Sequence, residues 1–129
     1  MTVRVDWDDT DHTILLYSLV HPWTWEELYE AVDMGIAKVT TVPHVVDVIV
    51  DFQNCHSLPP KSLVQFYRVA NLPTPQTNQI VIAGGGTLLL SLFNLFKLMV
   101  GGTGSKYYWA SDVNKAHSII TARRALSVP

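Results

Sequence analysis

The residues best suited to chemistry are gathered between Asp51 and Ser62. The stretch reads Asp-Phe-Gln-Asn-Cys-His-Ser-Leu-Pro-Pro-Lys-Ser and overlaps the end of an apolar run, Val45 to Phe52, broken only by Asp47 and Asp51. Such a run suits a central strand buried on both faces. Open α/β sheets take ligands beyond the carboxyl ends of their strands, so Asp51, Asn54, Cys55, His56, Ser57 and Ser62 form a candidate partner or ligand loop. Cys55 is the chain's single cysteine and would serve as a nucleophile if a histidine activated it. Adjacent residues in an extended loop point different ways, which places His56 badly as the base. A half-buried structural cysteine in a polar loop is the plainer expectation, and no catalytic residue is assigned.

Two further clusters invite a chemical reading. Gly84-Gly85-Gly86-Thr87 lies between a strand pattern and a helix pattern, where backbone amides can cradle an anion. The continuation Leu-Leu-Leu lacks the third glycine of a dinucleotide fingerprint, and there is no Gly-Lys-Ser/Thr. A tight turn for close helix-to-sheet packing is the competing reading, which leaves a weak anion-binding turn. Asp6, Asp8, Asp9, Asp11 and His12 resemble a cation site in composition only. A calcium loop needs a glycine and a distal glutamate at set positions, so a solvated hairpin tip is expected. Histidines 12, 21, 44, 56 and 117 show no paired ligand spacing. No metal and no cofactor are assigned.

Composition narrows the class. The 129 residues are 48% hydrophobic and only 16% charged, a globular rather than disordered balance. So little charge on so short a chain predicts apolar surface buried against a partner or ligand. The net charge is −2 and the only adjacent basic pair is Arg123-Arg124, which argues against nucleic acid and against a polybasic membrane patch. A lone cysteine allows no intrachain disulfide, so a reducing, cytoplasmic location is expected. The aspartate-rich opening is not a signal peptide. Residues Ile80 to Val100 carry one charge, but the glycines split the run, and no membrane span is expected.

These candidates need a scaffold, and the periodicities supply one. Val3–Trp7 and Thr13–Val20 read as a hairpin around Asp8–Asp11. Thr24 and Glu27 have capping-box spacing, and Trp25, Leu28, Tyr29, Val32, Ile36 and Val39 would line the buried face of a first helix. Pro60 fits a first helical turn, with Ser62–Val69 as the second helix. Gln79–Ala83 reads as a strand, and Thr87 as the cap of a third helix. After Gly101-Gly102-Thr103-Gly104, read as flexible, Tyr107–Ala110 is a last strand, and Ser111 would cap a final helix. One α/β domain over residues 1–129 is predicted, with a mostly parallel, mixed sheet of about five strands, four helices and right-handed crossovers.

This order of elements resembles the STAS superfamily, in particular its SpoIIAA-like (STAS/SEC14) branch. The resemblance is carried by Trp23-Thr24-Trp25-Glu26-Glu27, Val46–Asp51, Leu58-Pro59-Pro60, Ile80–Gly84 and Ser111–Ala116, and spans the chain. It implies a STAS-like regulatory interaction module. Regulatory members carry a phosphorylatable serine in Asp-Ser-Ser-Gly after the central strand. Here prolines fall in that stretch and neither Ser57 nor Ser62 has the context, so the phospho-switch is expected to be absent.

The third helix is the remaining anomaly. From Leu88 to Val100 ten of thirteen residues are apolar. Leu89, Leu92, Phe96 and Met99 would pack on the sheet, while Leu90 and Leu98 fall among Ser91, Asn94 and Lys97, with Phe93 on the shoulder. Leu90, Phe93 and Leu98 are thus a candidate association surface, most simply for a homodimer, or else the wall of a pocket. The resulting expectation is a non-enzymatic, self-associating module that docks a protein partner. The alternative is a binder of a small apolar or anionic, lipid-like ligand, and a Cys55-dependent enzyme stands third.

Overall fold

The computed structural model describes residues 2–55, 57–100 and 106–127. The expectations placed on His56 and on Gly101–Gly104 fall outside those ranges. Elements follow in the order β1 (Val3–Trp7), β2 (Ile14–Val20), α1 (Trp25–Val39), β3 (Val46–Asn54), α2 (Ser62–Ala70), β4 (Thr77–Ala83), α3 (Gly86–Val100), β5 (Tyr107–Ala110) and α4 (Val113–Ser127). The five strands form one sheet in the order β1-β2-β3-β4-β5. The β1–β2 pair is antiparallel and the other pairs are parallel, as the alternation of strand and helix patterns predicts.

The hairpin closes through Asp9, whose Oδ1 accepts the amides of Thr13 at 2.8 Å and Ile14 at 3.0 Å. Burial raises the Asp9 pKa, but the Thr13 hydroxyl, both amides and the Arg124 charge outweigh it and hold the carboxyl below its ordinary value. That carboxylate is spent on the turn, and Asp8 pairs with His117 at 2.8 Å.

Helix α1 starts at the capping box. The Thr24 hydroxyl accepts the Glu27 amide at 3.2 Å, and Glu27 Oε1 accepts the Thr24 amide at 3.0 Å. Helix α2 starts differently from the sequence expectation. Pro60 precedes the helix, and Lys61 at φ 63° is the N-cap, without a side-chain bond. The Trp25 indole N–H donates to the Pro60 carbonyl at 3.0 Å, holding Pro60 against α1. Thr87 lies inside α3, which begins at Gly86. Asp112 rather than Ser111 caps α4, its Oδ1 accepting the Lys115 amide at 2.7 Å. Gln53 Oε1 also takes the Val113 amide at 2.8 Å.

A strand order that never reverses puts successive crossover helices on the same side. The cores agree. Leu28, Ala31, Val39, Ala70, Leu89 and Phe96 of α1–α3 share a cluster with Leu15, Tyr17, Val48, Phe52 and Ile80. On the other face α4 covers Ile14, Ile49, Val81, Ala83 and Ala110 with Ala116 and Ile120. That face also holds Asp47, whose Oδ2 accepts Arg124 Nε at 2.7 Å while Arg124 Nη2 donates to the Thr13 carbonyl at 3.1 Å. Among the described residues, Asp47 Oδ1 and both amide atoms of the buried Gln79 have no hydrogen-bond partner.

Candidate functional site: an apolar cavity under three helices

Three helices must cover the face of a five-stranded sheet, and they leave a gap. Side chains on central strands of a sheet this small are normally sealed by the opposing layer. Yet Val50 of β3 and Ile82 of β4, both pointing to the α1–α3 side, are only half-buried. Val32 and Ile36, on the inward face of α1, are half-buried for the same reason. The space these side chains enclose is a half-open cavity of about 130 Å³.

Its floor is Leu15, Tyr17, Val48, Val50, Ile80 and Ile82, and its walls are Val32 and Ile36 of α1, Phe66 and Val69 of α2, and Leu92, Phe93 and Phe96 of α3. At one end Phe52 and Phe66 stack edge to face at 5.9 Å and join Trp25 and Trp23 in an aromatic cluster. At the other, where β4 and β5 begin, Leu72-Pro73-Thr74-Pro75 and Tyr107 form the rim. The lining is almost wholly hydrocarbon, and Tyr17 and Tyr107 place phenols beside it.

The Tyr17 ring needs the absence of a side chain on α1. A Cβ at Gly35 would lie 1.9 Å from the Tyr17 hydroxyl oxygen, so a glycine stands in mid-helix despite its helix cost of about 1 kcal/mol. Burial pushes the Tyr17 phenol far above its ordinary value and that of Tyr107 up to about 12. Both stay protonated and neutral at physiological pH, and the cavity carries no charge from them.

The loop singled out in the sequence does not assemble into a site. Asp51 lies on the α4 side of the sheet and its Oδ1 accepts the Gln53 amide at 2.8 Å. Cys55 turns the other way, into the core, where its thiol donates to the Leu19 carbonyl at 3.3 Å. Burial, with the Asp51 charge, raises the Cys55 pKa against a smaller opposing effect of Trp23, so the sulfur is held as a thiol. Asn54 is exposed, the Ser57 hydroxyl lies 3.2 Å from His21 Nδ1, and Ser62 bonds back to the Pro59 carbonyl. His56 lies outside the described residues.

A monotonic strand order also explains why that loop has no sizeable crevice, since ligand clefts in such sheets open where the order reverses; the pocket beside Cys55, Ser57 and Leu58 has a volume of only about 10 Å³. The glycine turn is occupied by packing. Gly84, at φ 84°, donates to the Ala110 carbonyl at 2.9 Å and accepts the Trp109 indole at 3.2 Å. A Cβ there would sit 2.9 Å from the Gln53 backbone. Gly85 and Gly86 also have positive φ, and Thr87 is exposed in the first turn of α3.

Helix α3 divides its surplus apolar residues. Phe93 faces the cavity, and Leu90 is half-buried without lining it. Leu98 is 82% exposed, as its position among polar residues predicts, and Leu88, Leu95 and Met99 join it outside. Met99 was expected on the sheet; the sheet-facing stripe is instead Leu89, Leu92, Phe93 and Phe96. Among the described residues no helix is long and apolar enough to cross a membrane, and no group of three or more metal-ligating side chains occurs.

Periodicity gives no sign of the cavity, because a residue facing a void and one facing a neighbour have the same sequence pattern. The available signals were the low charge fraction and the apolar excess of α3. No protein-family model, curated protein or solved structure matches the chain.

Proposed function

We propose that the chain binds a small apolar ligand in the cavity under α1–α3. The observation that carries this reading is the half-exposure of Val50 and Ile82 in the middle of the sheet. An enclosed apolar cavity of about 150 Å³ takes up benzene-sized guests, and the half-open cavity here, about 130 Å³, has room for a guest of that order. A seven-carbon guest fully desolvated at about 0.8 kcal/mol per carbon gains roughly 5–6 kcal/mol, a Kd on the order of 0.1 mM. The STAS-like assignment remains part of the proposal as a description of the scaffold, with the cavity as its working part.

Thermal unfolding in the presence of toluene tests the reading. At a tenfold excess over Kd the ligand should stabilise by about 1.4 kcal/mol, a rise in Tm of about 4–6 °C for a chain of this length. No shift at saturating toluene would contradict it. Native mass spectrometry of freshly purified protein adds a check for co-purified mass.

A second reading, self-association as a module for a protein partner, is favoured by the outer stripe Leu88, Leu95, Leu98 and Met99. Mass by native spectrometry for wild type and Leu95→Glu/Leu98→Glu separates the two. A dimer that the double variant makes monomeric supports this second reading, and a monomer in both removes it.

A further inference from the structure

The cavity is apolar along its length, but its rim at the start of β4 and β5 is not. Thr74 lines the rim between two prolines, which have no N–H to offer and fix the backbone on either side. Lys106, the residue before β5, donates from Nζ to the Thr74 hydroxyl oxygen. Because that oxygen accepts from the ammonium, the hydroxyl's own hydrogen is left to donate elsewhere. The ammonium keeps further N–H donors of its own. Among the described residues no acceptor pairs with these remaining donors, which stand at the mouth of a hydrocarbon cavity.

Charge points the same way. Lys106 is half-buried, and among the described residues no carboxylate lies within ion-pair distance of it. Burial lowers its pKa without a compensating anion. A partly desolvated cation without a counter-charge is costly, and an anion placed against it recovers that cost.

Resting on the reading of the cavity as a ligand site, we infer that its occupant is a short aliphatic or monoaryl carboxylate. Its hydrocarbon lies over Val50, Ile82 and Phe93, and its carboxylate is held at the rim by Lys106 Nζ and the Thr74 hydroxyl. One rim ammonium without a counter-charge matches a monoanion. The cavity volume limits the buried hydrocarbon to about the size of a benzene ring.

Calorimetric titration with hexanoate and with 1-hexanol, on wild type and on Lys106→Met, Lys106→Arg and Thr74→Val, tests this. The wild type should bind hexanoate about tenfold more tightly than hexanol. Lys106→Met should lose that preference while its affinity for hexanol stays within twofold, and Lys106→Arg should keep it. Thr74→Val should weaken hexanoate alone, by a smaller factor. Thermal melts of the free variants confirm that each is folded. Equal affinity for hexanoate and hexanol in the wild type, or a preference that survives Lys106→Met, overturns the carboxylate assignment and leaves the cavity reading standing. Binding of neither probe by the wild type overturns both.

Discussion

Replacing Val50 by phenylalanine adds four carbons to a side chain that projects from the sheet into open space. In a filled core that change forces neighbours off their rotamers and costs about 1–3 kcal/mol. Here Val50 is half-buried and borders a cavity of about 130 Å³. Four carbons moved out of water at about 0.8 kcal/mol each give an upper limit near 3 kcal/mol. Ordering a longer side chain takes back up to about 1 kcal/mol, and imperfect fit takes more. The expected net effect is a stabilisation of about 1–2 kcal/mol, read as a higher midpoint in urea with an unchanged slope. The same variant should no longer bind toluene. Val81→Phe is the matched control, since Val81 is fully buried on the α4 face and does not line this cavity. It should destabilise by about 1–3 kcal/mol. If Val50→Phe destabilised as much as Val81→Phe, the gap between the helices would not exist in solution.

Other consequences follow from the scaffold. Thr24→Ala removes the capping box of α1 and should cost about 1 kcal/mol in urea unfolding. Arg124→Met strands the Asp47 carboxylate, only 5% exposed, whereas the Arg124 side chain is 41% exposed. The expected loss is about 2 kcal/mol, less than for a fully buried pair, and Asp47→Asn in the same chain should restore most of it. The raised pKa values of Cys55, Tyr17 and Tyr107 mean that the native state keeps protons the unfolded chain releases. Stability from these groups is complete below the unfolded thiol pKa of about 8.5. It should fall as pH rises through about 10, where unfolded tyrosines ionise, toward the folded values. Denaturation at pH 8, 9.5 and 11 measures this, and constant stability over that range would refute it. At pH 7, Cys55 should react with iodoacetamide far more slowly in the folded protein than in urea.

The parts of the fold fixed by local chemistry could be read in the sequence. Thr24 and Glu27 announced α1 because their bonds are made within four residues. The hairpin shows in the alternation of Val3–Trp7 and the β-branched, leucine-rich run to Val20, and Tyr107–Ala110 as a short run after the glycine stretch. Some of the misreadings involve a distant residue acting on a local outcome. Pro60 looked like a helix start, but Trp25 holds its carbonyl outside the helix. Asp112 displaced Ser111 as the cap of α4 in a start also bonded by Gln53, nearly sixty positions away.

The candidate site was less legible for the same reason. The loop at Asp51–Ser62 promised chemistry by composition, yet alternation along β3 sends Asp51 to one face and the chain carries Cys55 into the core on the other. The cavity depends on the spacing of three helices over five strands, which no residue encodes alone. Phe93 marks the boundary between the two readings of α3. Helical spacing puts it on the shoulder of the wheel, and only the gap beside α1 turns that shoulder into a wall.

The most direct measurement is a methyl-resolved NMR titration of the protein with toluene. Saturable shifts confined to Val50, Ile82, Val69 and Leu92, with Ile49, Val81 and Ile120 on the α4 face unmoved, are the predicted result. Shifts that fail to saturate, or that appear instead at Leu95 and Leu98 on the outside of α3, would contradict the cavity as the binding site.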